Sequence, residues 1–570
     1  MEQNCTKKDL KVLQRQILYG LFQQNVELTD CDQGRGMIWS LCKKHPSRPL
    51  FLYIDNGLKN TDLKQLLPED LGSCLPPRSR ILVTTRNLHE TDIFNARNIQ
   101  RQQYRVSSLP QTQARKILLK KAADYNDEKN IHDLLELCGG VPLLLEIAGS
   151  QLAITSRNTI NIVLELLREG EKVEEDDISD RMVDFVYHRL LPPVKEAFLD
   201  ITSFFHDWPT QKVTYIVGEE EFRALEDASF IQNSQMGTVI VHDIVRARGK
   251  KMSEQNRIRD PETLLKCLED GEKLKNLKGI LLYEKYEQPP IEINENHLNC
   301  MSNSLRVLSY EGSQIIFRGK CKKPFKQLRN LGIPSNVANL PMEFEKLGRL
   351  ARYRGPFTQG MSLYELPPSL LALHFTGSSE NAVENSKLPT EITLASSVVK
   401  LGFSDLKNMR RLPDGLEKLS KLQELYLIDC HQLRELPSKL GDLSNLQRLW
   451  LDQCHELKEL PSDFGQLSNL TSIYLSGCSA LCVLPSSFAH LISLKQLYLD
   501  YCTGLKKLPS NFGQLQNLEE LDLSHCSALE EWPLSFRDLT KMKKMVLVGC
   551  PMKLKESLPY NISNCSIVFH

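Results

Sequence analysis

Six cysteines, Cys430, Cys454, Cys478, Cys502, Cys526 and Cys550, each stand 24 residues apart. The leucines of the Leu-Pro pairs at Leu412, Leu436, Leu460, Leu484 and Leu508 keep the same interval, and Trp532-Pro533 continues it. One unit reads LSNLQRLWLDQCHELKELPSDFGQ. In LQRLWL, Leu449 and Leu451 fall on one face of a strand and Trp450 on the other. One such strand cannot bury its leucines alone. Stacked units can, each against its neighbour, so the period predicts a solenoid. The proline after each second leucine blocks strand extension and starts the return path.

The pattern Leu-x-x-Leu-x-Leu-x-x-Cys followed by Leu-x-x-Leu-Pro resembles the leucine-rich repeat of plant-type intracellular receptors. Looser units precede the regular ones, with Leu-Pro at Leu340, Leu366 and Leu388, and a last pair follows at Leu558. The solenoid is therefore expected from about residue 300 onward. The cysteine column reads as small apolar thiols filling the turn after each strand, weakly hydrogen-bonded to backbone. Metal chemistry would need clustered ligands rather than one per repeat.

Between the paired leucines the outward position holds Tyr426, Trp450, Tyr474, Tyr498, Asp522 and Val546. Strands about 4.8 Å apart would set the four aromatics in one column on the concave face. Asp452 and Asp500 follow two strand positions later, with Ser476 between them. Aromatics rimmed by carboxylates are the composition of a protein-binding hot spot. Aromatics also simply suit exposed strand positions.

Composition narrows the function classes. Lys+Arg and Asp+Glu are both 71, giving zero formal net charge, so no global basic field exists to hold nucleic acid or an anionic membrane. With 570 residues, three or four domains are expected. The first thirty residues carry no signal-peptide core, and no apolar run is long enough to span a bilayer. The expected location is inside the cell, in the cytoplasm or nucleus. There the 16 cysteines would stay reduced, and the sequons at Asn469, Asn561 and Asn564 would be chance matches.

The first 110 residues read as α/β. LKVLQRQILYGLF has helical apolar spacing, while PLFLYIDN and SRILVTTR read as buried parallel strands. Asp55 and Arg86 fall at their carboxyl ends, where ligands bind in such sheets. There a carboxylate suits Mg²⁺ and a guanidinium a terminal phosphate.

FLYIDNGL, SRILVTTR, YRVSSLPQTQARKILLKKA, LCGGVPLLLEIAGSQLA, EAFLDITSFF and VHDIVRARGKKM occur in the order found in plant nucleotide-binding leucine-rich-repeat immune receptors. The chain resembles that family over nearly its whole length. The resemblance implies ADP/ATP with Mg²⁺ as cofactor. Asp55 would be the magnesium-side carboxylate, Arg86 the terminal-phosphate sensor and Pro142 the adenosine contact. His242 would bind the β-phosphate and keep the module closed, and Asp243 would support that closed geometry. Bland readings stand beside these: Asp55 ends a strand at a turn, Arg86 is a surface charge, Pro142 starts a helix, and His242 packs in an amphipathic helix.

A Gly-x-x-x-x-Gly-Lys-Ser/Thr phosphate loop is missing from the sequence. By motif order, residue 1 falls after the point where the family carries it. The expectation is an N-terminally truncated nucleotide domain, loose or repaired by another chain or domain. The predicted fold class is a multidomain α/β chain. It comprises an incomplete parallel-sheet nucleotide-binding domain (1–110), a helical subdomain (111–175), a winged helix (176–255), a helical connector (256–302) and leucine-rich repeats (303–570). ARGKK is a short basic run, a weak nucleic-acid footprint. Two functional readings remain. One is an immune-receptor-like protein with an impaired ADP/ATP switch, whose concave face binds a pathogen or host protein. The other is a nucleotide-independent repeat scaffold. Neither is an enzyme.

Overall fold

Backbone geometry follows the two periods of the sequence. The structure, a computed structural model, describes residues 30–44, 49–54, 75–84, 106–154, 175–234, 237–283, 290–311, 315–334, 347–356, 367–377, 397–413, 415–558 and 565–569, with isolated positions between them. The chain divides into two units, Met1–Ser108 and Leu109–His570.

In the first unit, helix α1 (Cys31–Lys44) accompanies two parallel strands, β1 (Phe51–Ile54) and β2 (Arg80–Val83). Ile38, Cys42, Leu50 and Ile54 share a core with Leu18, Leu66 and Leu67. The strands were expected buried on both faces, and they are not. Phe51 and Tyr53 are 64% and 52% exposed and Leu82 is 50% exposed. Alternation puts these side chains on the face opposite the core cluster, so one side of the pair faces solvent. Asp55 and Arg86 lie outside the described residues.

The second unit opens with helices α2 (Gln111–Leu118), α3 (Glu128–Leu137) and α4 (Pro142–Ile154), then α5 (Glu175–Arg189) and α6 (Pro192–Asp200). The chain widens into a π turn at Ile201–Phe205. It continues through α7 (Thr210–Val217), α8 (Glu219–Asp227), an antiparallel hairpin of β3 (Gln232–Asn233) and β4 (Val239–Ile240), and α9 (Asp243–Ser253). One apolar core runs through all of these, from Ala114 and Leu145 to Phe205 and Val245, and takes in Leu281 and Val307 from the sheet that follows.

Among the described residues that sheet has fourteen strands, all parallel where paired. It begins with β5 (Arg257–Ile258) and β6 (Gly279–Tyr283), well before residue 303. The segment 256–302 is thus not the helical connector expected from sequence. It carries α10 (Pro261–Leu268), α11 (Gly271–Asn276), β7 (Ile291–Asn294) and α12 (Glu295–Met301). Its GILLY run adds a strand because Ile280, Leu281 and Leu282 are all buried, the first and third in the solenoid core and Leu281 in the helical one. Gly279 permits this approach. A Cβ there would stand 2.4 Å from the Phe204 ring.

The regular part runs from β8 (Val307–Glu311) through β10 (Asn330–Gly332), β11 (Arg352–Gly355), β12 (Ala372–Thr376) and β13 (Lys400–Ser404) to β20 (Ser566–Val568), with β9 (Ile315–Arg318) pairing aside with β7. From β14 (Glu424–Ile428) on, neighbours pair 24 residues apart through β15 (Arg448–Trp450), β16 (Ser472–Tyr474), β17 (Gln496–Tyr498), β18 (Glu520–Asp522) and β19 (Lys544–Val546). Pro437, Pro461, Pro485, Pro509 and Pro533 each accept the first hydrogen bond of the return path, as in Leu440 N–H to Pro437 O at 3.0 Å and Phe512 N–H to Pro509 O at 3.0 Å. A short 3₁₀ segment follows on the convex side.

Every ladder thiol reaches back one repeat. Cys454 donates to Leu427 O at 3.4 Å, Cys478 to Leu451 O at 3.1 Å, Cys502 to Leu475 O at 3.1 Å and Cys550 to Leu523 O at 2.9 Å. All six are free thiols. The residue before each is left-handed, from Asp429 (φ 54°) through Gln453, Tyr501 and His525 (58–60°) to Gly477 (76°) and Gly549 (68°).

Helices and sheet are joined by buried charge. Asp200, 1% exposed, ends α6 and accepts from Arg257 Nε at 2.8 Å and Arg306 Nε at 2.9 Å. Burial alone would raise its pKa, but Arg306 and Arg257 outweigh this and hold it below the usual carboxylate value. Glu196, one turn earlier, meets Arg257 at 2.7 Å. Arg329 donates to the Val217 and Ile216 carbonyls at the end of α7.

Candidate recognition surface

The residue between two inward side chains on each repeat strand points to the concave side. In β14 to β17 this places Tyr426, Trp450, Tyr474 and Tyr498 in register. Their rings stack at centroid separations of 4.1, 5.1 and 4.8 Å and interplanar angles of 11°, 2° and 8°. The column anticipated from sequence is therefore a continuous stack. Faces inside it are used up on one another, so the rings offer mainly their edges to a partner. All four are half-buried.

Carboxylates anchor the two ends. Tyr426 donates its hydroxyl to Glu424, and Tyr498 donates to Glu520 Oε2 at 2.8 Å. Glu424 is buried and also pairs with Lys400 at 2.8 Å and with Arg448. Burial pushes its pKa up, but Lys400, Tyr426 and Arg448 together hold it lowered. Along the rim Ser476 Oγ donates to Asp500 Oδ1 at 2.6 Å. Asp452 is held above the usual carboxylate range by burial, with Asp500 and Asp429 adding to it against a hydrogen bond from Ser476.

The column's first ring is approached from within the chain. Lys400, the partner of Glu424, stands 5.6 Å from the ring of Tyr215 on α7. Burial, then Glu424, pushes the Tyr215 hydroxyl up to about 12. The end at Tyr426 is thus linked to the helices through Lys400 and Glu424, while Trp450, Tyr474 and Tyr498 run away from them. Sequence reasoning missed Tyr215, which no repeat period marks. It also missed two stacks in the turns after the strands, His431 on His455 (4.8 Å) and Tyr501 on His525 (4.4 Å). The 24-residue spacing of both pairs was the available signal.

The residues assigned to a nucleotide by resemblance stand elsewhere. Pro142 is exposed at the first position of α4, with Val141 N–H bonded to Cys138 O at 2.9 Å before it. His242 is not packed in a helix. It is the exposed N-cap of α9, its Nδ1 accepting from Ile244 N–H at 3.3 Å, and Asp243 is exposed in the first turn. Among the described residues no group of three or more His, Cys, Asp or Glu is placed to hold a metal ion. Nor is any described helix long and apolar enough to cross a membrane.

Residues 517–539 match the Leucine Rich Repeat family. A search of curated proteins returns no match. Among solved structures, the chain is similar to a leucine-rich-repeat protein of Leptospira interrogans at 19% identity. That match covers 55% of this chain and 76% of that one, with a TM-score of 0.33. It is similar to the leucine-rich-repeat domain of the type III effector XopL at 19% identity, over 70% of this chain and 96% of that one, TM-score 0.25. It is also similar to a chain of the Drosophila Toll–Spatzle complex at 20% identity, over 48% of this chain and 37% of that one, TM-score 0.36.

Proposed function

We propose that the solenoid recognises another protein through the aromatic stack of its concave face, in a chain of immune-receptor-like descent. The supporting observation is the in-register stack of Tyr426, Trp450, Tyr474 and Tyr498 with Asp452 and Asp500 beside it. Stacked rings are already ordered, so a partner meets them at little further entropic cost. Ring edges carry partial positive charge, which suits aromatic faces and carbonyl oxygens on the partner. The pathogen-product or host-protein identity of that partner follows from the family resemblance.

The test is the double variant Trp450→Ala with Tyr474→Ala in the full chain, with partners mapped in cells by proximity labelling. Partner labelling should fall at least tenfold, while far-UV circular dichroism keeps the repeats folded. Exposed Leu534→Ala, off the strand column, should change neither. Equal labelling by the double variant and the wild type would move the surface elsewhere.

An ADP/ATP switch with Mg²⁺ is the second reading, and it rests on the resemblance. The described residues do not complete such a site. Asp55 and Arg86 lie outside them, Pro142 starts a helix and His242 caps one. No step of the proposed function therefore passes through a nucleotide. Stoichiometric ADP in the supernatant of denatured protein would establish the switch; none would leave the nucleotide-independent scaffold.

A further inference from the structure

Helix α9 carries cations on opposite faces. At about 100° per residue, Arg248 lies across the helix from Arg246 and Lys250, which sit one above the other four residues apart. Arg248 is paired: its Nε donates to Asp184 Oδ1 at 2.7 Å and its Nη1 reaches Asp180 at 3.4 Å. Arg257, just beyond the helix, is paired with Asp200 and Glu196.

The other face differs. Among the described residues, Arg246, Lys250 and Arg259 make no ion pair, and the buried Nε of Arg246 has no acceptor. Arg259 lies along the last turn of α9. Its Nη1 donates to Ser203 O at 3.4 Å, and Ser203 Oγ is 2.7 Å from Ser253 Oγ. His206 is held just ahead of α9, its Nδ1 accepting from Val241 N–H at 3.2 Å and its Nε2 3.2 Å from Asp207 Oδ2. Burial and then Arg246 and Arg259 push Lys250 down to about 8. Arg259 and His206 are lowered too, in each case by burial first and Arg246 second. The carboxylates that face this group are Asp243, Asp207, Glu254 and Asp260, all exposed.

We propose that Arg246, Lys250 and Arg259 form a binding site for a multiply charged oxyanion of the phosphate or polyphosphate class. Such a ligand would give the Arg246 Nε–H its missing acceptor and offset the crowding of three cations. The site runs along the side of α9 that begins at the His242 cap, one to two turns further on, and is independent of the recognition surface.

Thermal unfolding of the full chain tests it, with inorganic pyrophosphate compared against sodium chloride at matched ionic strength. Pyrophosphate should raise Tm progressively. Arg246→Met and Lys250→Met should each weaken its apparent affinity at least tenfold and raise Tm in its absence, because a repelling charge is gone. Arg248→Met should lower Tm yet keep the pyrophosphate response. ADP in a parallel arm separates the sources. A response to ADP with none to pyrophosphate overturns the oxyanion class. No response to either, or one that survives unchanged in Arg246→Met and Lys250→Met, overturns the site.

Discussion

Replacing Asp200 with alanine removes the one buried carboxylate shared by Arg257 and Arg306. The two arginines are left unequally. Arg257 keeps Glu196 at 2.7 Å and Asn256 Oδ1 at 3.0 Å, whereas Arg306, 8% exposed at its side chain, keeps among the described residues a 3.8 Å approach to Glu196 and the more distant charge of Glu221. Breaking a buried pair from one side costs about 3–5 kcal/mol, and the residual Glu196 contacts place this case near the lower end, at about 3 kcal/mol. Hydrogen exchange is the suitable assay, because it reads the opening of this joint separately from the rest of the chain. Where exchange requires the joint to open, amides of α6, β5, β6 and β8 should lose on the order of a hundredfold in protection. Strands β15 to β18 should keep theirs, since each repeat depends on its neighbours. Adding Arg306→Met to the Asp200→Ala chain should recover part of the loss by removing the stranded cation. Undiminished protection at α6 and β6, or an equal loss along the whole solenoid, would refute the reasoning.

The remaining predictions concern the repeats. Burial pushes Cys430 and Cys502 up to about 12, so both should resist iodoacetamide at pH 8 at least on the order of a hundredfold more than exposed Cys482. Mass mapping of the native protein would show this, and equal labelling would disprove it. His374 is lowered to about 3, by burial first and then by Arg354 and Arg352. Its unfolded value is about 6.5, so the unfolded chain takes the proton first. Its contribution should be intact above pH 6.5, fall as pH drops below that, and level off near pH 3. The difference in denaturant midpoint between wild type and His374→Gln should trace that window; a flat difference would disprove it.

Much of the solenoid was legible because its signals are local and repeated. The Leu449–Leu451 alternation, the prolines and the cysteine period each specify one geometric step, and stacking multiplies them. The column Tyr426 to Tyr498 was legible for the same reason, though the parallel stacking of its rings was not. Contacts between distant segments left no such trace. Asp200 lies 106 residues from Arg306, and nothing in EAFLDITSFF marks that carboxylate as buried. Tyr215 and Lys400 are still more remote in sequence. The strand at Gly279–Tyr283 was read as connector because its unit lacks both the cysteine and the Leu-Pro signature. PLFLYIDN read as fully buried because an apolar run does not reveal that only one side is covered.

Each ladder thiol grips the coil immediately before it. The fastening is therefore modular. Cutting out or duplicating one complete 24-residue block would rejoin like ends, with every remaining sulfur still finding its carbonyl. Reach along the inner surface can then be lengthened or shortened in whole steps, one ring of the column at a time, without redesigning what lies on either side.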